Sequence, residues 1–198
     1  MIYLSIILIL FLFYLIFGLY VGYDIIHSHR QPIIKTPQDY QMDFEDIEFK
    51  STDGLNIKGW LIPGKNKKLA IITHTYPFNR AGFNPRYQGF LTRFKEKVDL
   101  LRMAKVLRDQ GYWVLMFDFR NHGESDKGKS AIGQTEYQDV LGALDFVAQD
   151  KRLNDMPIGF ISFCMGANST IIAQAKNPEK FNQVKALVVI QPISQLVF

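Results

Sequence analysis

The sequence predicts an α/β domain built on a mostly parallel sheet, with an antiparallel hairpin at its N-terminal side and one transmembrane helix before it. Three observations predict this. An uncharged apolar run opens the chain, two alternating runs follow on either side of Asp53-Gly54, and short buried-strand patterns then alternate with helical ones. A length of 198 residues suits one ordinary domain, and 47% hydrophobic with 21% charged residues marks it as globular.

The opening run, Ile2 to Tyr23, is broken only by Ser5, Gly18 and Gly22. About 20 apolar residues in a helix span the hydrocarbon core of a bilayer, and Tyr20 and Tyr23 suit its interface. A signal peptide would carry a basic n-region, a shorter apolar stretch and a small-x-small cleavage site, none of which is visible. Residues 1–23 are therefore expected to be an uncleaved anchor, single-pass, with the bilayer as partner. Nothing basic precedes the run while Arg30 and Lys35 follow it, which favours a cytoplasmic domain. Residues 24–44, polar and carrying Pro32 and Pro37, read as a juxtamembrane linker.

The domain is expected over 45–198. Ile47 and Phe49, then Leu55, Ile57 and Leu61, alternate with polar residues around Asp53-Gly54, a hairpin signal. Leu69 to Ile72 reads as a buried strand. Phe94, Val98, Leu101 and Leu107 share one helical face that Gly111 terminates. Trp113 to Phe117 is a second buried strand, and Tyr137, Val140, Leu144 and Val147 mark a helix. Strand Ile158 to Ile161, helix residues Ala167, Ile171 and Ala175, and strand Ala186 to Ile190 complete the alternation. Strand–helix alternation means a parallel sheet covered on both faces, with its ligand site beyond the carboxyl ends of the strands.

Composition excludes several functions. The net charge of +4 includes no long basic block. The densest stretch, Arg80 to Lys97, mixes bases with acids and aromatics and reads as a solvated or headgroup-facing surface, so nucleic acid is not an expected partner. Four histidines and one cysteine show no metal-ligand spacing, and no cofactor is expected. A single cysteine forms no internal disulfide, which fits a reducing compartment.

Three post-strand loops carry the chemistry. In Ser162-Phe163-Cys164-Met165-Gly166 a strand turns sharply into a helix, with small residues two positions either side of Cys164. A nucleophile elbow needs that spacing because strand and helix backbones nearly touch there. The positive end of the helix suits a thiolate at Cys164. The plainer alternative is a small buried residue, as free cysteines often are. Ser162, at the strand's end, reads as a packing residue, and Ser169 and Thr170 as structural. In Thr73-His74-Thr75-Tyr76-Pro77, a backbone N–H would join that of Met165 to stabilise an oxyanion, with Tyr76 the first choice and Thr75 the second; Pro77 has none to give. His74 follows its strand directly and reads as a loop organiser rather than a base. The third loop, Asp118 to Ser125, reads as a tight turn held by polar side chains rather than a catalytic cluster.

Together these loops resemble the α/β-hydrolase superfamily from about residue 45 onward. Asp118-x-Arg120-x-His122-Gly123-x-Ser125 is similar to its Asp-x-Arg-Gly-His-Gly-x-Ser turn, with Asn121 for glycine. His74-Thr75 resembles its His-Gly oxyanion motif, with threonine for glycine. Thr52-Asp53-Gly54 leading to Gly59-Trp60-Leu61-Ile62-Pro63 resembles the opening hairpin of membrane-anchored hydrolases, and the cysteine elbow is similar to that of dienelactone hydrolases. The resemblance implies an α/β-hydrolase fold and hydrolysis of an ester or thioester through acyl-Cys164, on a small-molecule or acyl substrate. In that family an acid and then a histidine follow the nucleophile, and no histidine here lies beyond His122. Strand Ala186 to Ile190 would stand as an open apolar edge, and Leu196-Val197-Phe198 is apolar as well. These features lead to the expectation of the front part of a longer hydrolase. A non-catalytic hydrolase-like scaffold and an inactive truncated remnant are the alternatives.

Overall fold

The computed structural model describes residues 2–26, 30–88 and 95–192. The chain begins with helix α1 (Ile2–Ile26), whose window Ile2–Tyr23 is long and apolar enough to cross a membrane and is 0% buried by the rest of the protein. Strands β1 (Glu45–Lys50) and β2 (Asn56–Ile62) form the expected hairpin, in register Lys50 to Asn56 across the Asp53-Gly54 turn. Strand β3 (Leu69–Thr73) is buried throughout, as an apolar strand in the middle of a covered sheet should be.

A two-stranded ribbon of β4 (Gly82–Phe83) and β5 (Val98–Asp99) comes next, followed by α2 (Leu100–Asp109). The helix expected to include Val98 therefore starts two residues later. Val98 instead pairs with Phe83, and Gly82, at φ +126°, lets the ribbon close because a side chain there would strike the Val98 carbonyl. Phe94 lies outside the described residues, as does Leu196-Val197-Phe198. Gly111, at φ +87°, ends α2 as expected, its N–H bonded to the Arg108 carbonyl at 2.8 Å.

The remaining elements are β6 (Trp113–Phe117), α3 (Tyr137–Gln149), β7 (Ile158–Phe163), α4 (Met165–Lys176) and β8 (Val184–Ile190). The six-stranded sheet runs β1-β2-β6-β3-β7-β8; the hairpin joins β6 antiparallel, and β6 through β8 are parallel. Helices α3 and α4 cover one face over a core that includes Leu61, Ile71, Leu115, Phe117, Val140, Leu144 and Phe160. Helix α2 covers the other over Trp60, Ile72, Leu101, Ala104 and Met116. Among the described residues β1 and β8 are the outer strands of the sheet, and on β8 Val188 is 50% and Ile190 37% exposed.

Residues 30–44, expected as a linker, do not run free. Gln31, Pro37 and Met42 are buried, a 3-10 turn spans Pro37–Tyr40, and Lys35 bridges to Asp99 at 3.4 Å. Alternation and helical periodicity are both absent from this stretch, so its packing left no local signal.

Buried Arg120 joins elements far apart in sequence. Arg120 donates to both carboxylate oxygens of Asp53 (2.7 and 2.8 Å) in the hairpin turn and to Asp139 (2.7 Å) in α3. Burial pushes the Asp139 carboxyl up to about 6, against the Arg120 hydrogen bonds that favour its ionised form. Arg120→Ala leaves Asp139 buried and uncompensated, so it is expected to lower unfolding free energy in urea by about 3–5 kcal/mol. Removing the exposed pair of Arg152 with Glu45 is expected to cost about 1 kcal/mol or less.

Candidate active site

Strands β3, β6 and β7 are parallel, so their following loops gather at one end of the sheet. At the end of β7, Cys164 is half-buried and takes φ +45°, ψ −106° immediately before α4. That conformation costs a non-glycine residue about 1–3 kcal/mol, and it persists only where the surroundings enforce it. They do so here on three sides. The Cys164 N–H donates to the Ile190 carbonyl in β8 at 2.8 Å, and the Cys164 carbonyl accepts from Asn168 N–H at 3.0 Å, which starts the helix. Two residues on, a methyl placed on Gly166 would lie 2.5 Å from Thr73 Oγ1 and 2.7 Å from the His74 carbonyl oxygen. The start of α4 thus rests directly on the end of β3, and only glycine permits it.

Ser162 is fully buried, its hydroxyl 3.0 Å from that of Thr170. Ser169 and Thr170 donate back to the carbonyls of Met165 and Gly166, at 2.7 and 2.8 Å. All three hydroxyls are committed to the elbow's own packing. The Met165 N–H belongs to the first turn of α4, where backbone donors have no partner within the helix.

The β3 loop turns back through a Tyr76-Pro77 cis peptide, with Phe78 N–H donating to the Thr75 carbonyl at 2.9 Å. His74 is buried and both ring nitrogens are engaged. Nδ1 lies 2.9 Å from the Thr75 carbonyl, and Nε2 accepts from Phe119 N–H at 3.1 Å. This fixes a neutral ring with the proton on Nδ1. Burial pushes its pKa down to about 4. His74 therefore ties the β3 loop to the β6 loop.

In the β6 loop, Asp118 accepts from Arg80 N–H at 2.7 Å and Glu124 N–H at 2.9 Å, and pairs with the Arg80 guanidinium. Ser125 Oγ donates to the Asp118 carbonyl at 2.6 Å and accepts from Lys58 N–H at 2.9 Å. Gly123, at φ +45°, passes so close to Asp118 that a methyl would overlap its carboxylate. His122 donates from Nδ1 to the Arg120 carbonyl at 2.8 Å, and its ring lies edge-on to those of His74 and Tyr76. Its Nε2 is buried without a partner among the described residues. Burial, then the neighbouring His74, pushes its pKa down to about 3.

Arg80 was read from sequence as one end of a solvated stretch; it is 3% exposed and stacks 4.3 Å from the Trp60 ring. Sequence reasoning also passed over Glu136. This buried carboxylate accepts from the backbone N–H groups of Ala131 and Gly133, at 3.0 and 2.6 Å, and holds the loop that touches Asn168 in α4. Only its tertiary partners distinguish it from an ordinary helix-start acid. Among the described residues no group of three or more His, Cys, Asp or Glu could hold a metal ion.

No family model matches the chain. It is 27% identical over 159 residues to the polyketide transferase af380 of Aspergillus fumigatus, covering 79% of this chain and 48% of that protein. It is 25% identical over 127 residues to the thiohydrolase aneE of Aspergillus aculeatus, covering 63% of this chain and 35% of that protein. Among solved structures it resembles the Pyrococcus furiosus esterase Pf2001, with TM-score 0.65, 24% identity, and 85% of this chain and 56% of that one covered. It also resembles the hydrolase GrgF of Penicillium, with TM-score 0.59, 21% identity, and 76% and 46% covered. The chain spans about half or less of the length of these curated relatives.

Two measurements test the geometry. With its strained φ, position 164 should favour glycine, so Cys164→Gly is expected to be about 1 kcal/mol more stable in urea than Cys164→Ala. The histidines bear on pH. Their folded pKa values lie below the unfolded value of about 6.5, so between there and about 4 the unfolded chain binds protons that the native one refuses. Their contribution is complete above that range and is lost as pH falls. Asp139, raised by burial, acts in the opposite sense over the same range, so the histidine part is read by difference. His122→Asn keeps a donor near the Arg120 carbonyl, and from pH 6 to 5 it is expected to lose about 1 kcal/mol less stability than wild type.

Proposed function

We propose that this chain, which carries the α/β-hydrolase fold, is the nucleophile-bearing part of a membrane-anchored hydrolase of esters or thioesters that works through an acyl-cysteine. One observation carries the reading: Cys164 holds a backbone conformation unfavourable to any side chain, at the sharp turn from β7 into α4. A filler residue would not need that strain, whereas a nucleophile is presented by it. Esterase and thiohydrolase relatives support the reaction class, and the apolar α1 supports the anchor.

In the proposed reaction the Cys164 thiolate attacks the substrate carbonyl. The carbonyl π electrons move onto oxygen, where the Met165 N–H and the backbone of the Thr75–Tyr76 turn meet the developing charge. Collapse expels the alcohol or thiol, which takes up a proton, and leaves acyl-Cys164. Water then releases the acid and restores the thiol. Neither described histidine suits the role of base, because both are buried, hydrogen-bonded and shifted toward the neutral form. The proposal therefore takes the base and its acid partner from outside the described residues.

The test uses an activated acyl thioester and intact-mass detection. The full chain in detergent is expected to gain one acyl group at Cys164, and Cys164→Ala is expected to gain none. Undiminished acylation of the alanine variant would remove the thiol mechanism. A folded chain that stays unlabelled would favour a non-catalytic scaffold.

A further inference from the structure

The segment after α1 is fastened to the catalytic end of the sheet. Gln31, 2% exposed, donates from Nε2 to the Tyr87 carbonyl at 2.8 Å and accepts at Oε1 from Asn84 N–H at 3.2 Å. The Gln31 and Pro32 carbonyls accept from Asn79 Nδ2 at 3.0 and 3.1 Å. Asn79 directly follows the Thr75–Phe78 turn. Arg30 reaches the Gly123 carbonyl, in the loop after β6, at 3.3 Å. Helix α1 ends at Ile26, so Arg30 lies at most about 14 Å along the chain from that end. A span that short leaves the domain little choice about which end it turns toward the helix.

The surface beside these anchors has a mixed character. Ile34, Tyr87 and Val98 are 45%, 41% and 37% exposed. Ile34, Lys97 and Val98 line one shallow cleft, and Arg86, Lys95 and Lys97 are exposed around it. Of the nearby acids, Asp99 is occupied by Lys35 and Tyr40, and exposed Glu96 between Lys95 and Lys97 offsets one of the three bases, leaving the patch net positive. Aromatic and aliphatic side chains among exposed bases, net positive, match the chemistry of an anionic headgroup layer. The opposite, amino end of the sheet carries highly exposed Lys67 paired with Asp155.

We propose that this patch is the domain's docking surface on the headgroup layer of the membrane that holds α1, so that the end of the sheet bearing Cys164 faces the bilayer and its acyl substrate enters from the lipid. This rests on the membrane anchoring proposed above. Charge complementarity and continuity with the end of α1 select the bilayer over a protein partner.

The experiment uses the full chain with Cys164→Ala, reconstituted in phosphatidylserine-containing nanodiscs that carry a headgroup-nitroxide lipid. Fluorophores are placed singly at Ile34→Cys, Val98→Cys, Lys67→Cys or Asp155→Cys. Quenching at 34 and 98 is expected to be roughly threefold stronger than at 67 and 155, since a headgroup nitroxide quenches only a fluorophore held close to the headgroup layer. Equal quenching at the two ends would overturn the docking face. Arg86→Glu, Lys95→Glu and Lys97→Glu together should at least halve the signal at 34, and an unchanged signal would overturn the electrostatic attraction. An alkaline carbonate wash separates the two readings. A chain stripped from membranes defeats the anchor itself, whereas a retained chain with equal quenching defeats only the docking face.

Discussion

The close approach of α4 to β3 at Gly166 is the constraint on which the site depends. Two backbones meet there with no room for a single methyl, and the contact is made by the Thr73 side chain and the His74 carbonyl. Because β7 lies beside β3 in the sheet, the turn into α4 must be completed within one residue. That residue is Cys164, which absorbs the angular change as a positive φ. The strained cysteine is thus a consequence of packing two elements at contact distance. The same contact brings the first turn of α4, with its unpaired backbone donors, next to the loop that continues from β3.

The polar residues around this contact divide into groups that hold and groups that can react. His74 bridges the β3 and β6 loops between a backbone carbonyl and a backbone amide, His122 is tied to the Arg120 carbonyl within the β6 loop, and burial keeps both neutral. Asp118 gathers two N–H groups and the Arg80 guanidinium, while Arg120 connects the hairpin to α3. His74 has both ring nitrogens engaged and is a poor acid–base catalyst, since taking part would break the bonds that place it, while His122, whose Nε2 has no partner among the described residues, is kept neutral by burial. Cys164 differs in kind: its backbone is held from three sides, and the residue is only half-buried.

How much of this was legible in the sequence follows from the range of the interactions. Strands β3, β6 and β7 announced themselves because a central parallel strand must be apolar on both faces. The sharp turn from β7 into α4 was legible because its steric demand falls on a residue two positions from Cys164. Val98 was misassigned to a helix because its pairing with Phe83 depends on Gly82, sixteen positions away and without any repeating pattern. Arg80 looked like a surface base, since nothing local marks its partnership with Asp118, 38 residues on. The packed stretch 30–44 was hidden for the same reason: its bonds go to Asn79, Asn84, Tyr87 and Asp99, and its own residues carry no period.

The placement of β8 connects the fold's least covered region to its most constrained residue. The acceptor that fixes the Cys164 amide is the carbonyl of Ile190, at the end of the edge strand. On the α2 side of the sheet, Ala186, Val188 and Ile190 stand opposite Gly159, Ile161 and Phe163, and none of the six is fully buried. Edge strands are held on one side only, and their free energy of local opening is correspondingly lower than that of central ones. Two of the three restraints on Cys164 come from the well-packed interior, through Gly166 and Asn168, and the third comes from this edge. The edge strand therefore acts on Cys164 through a single hydrogen bond, and the stiffness of β8 at Ile190 sets how firmly that restraint holds.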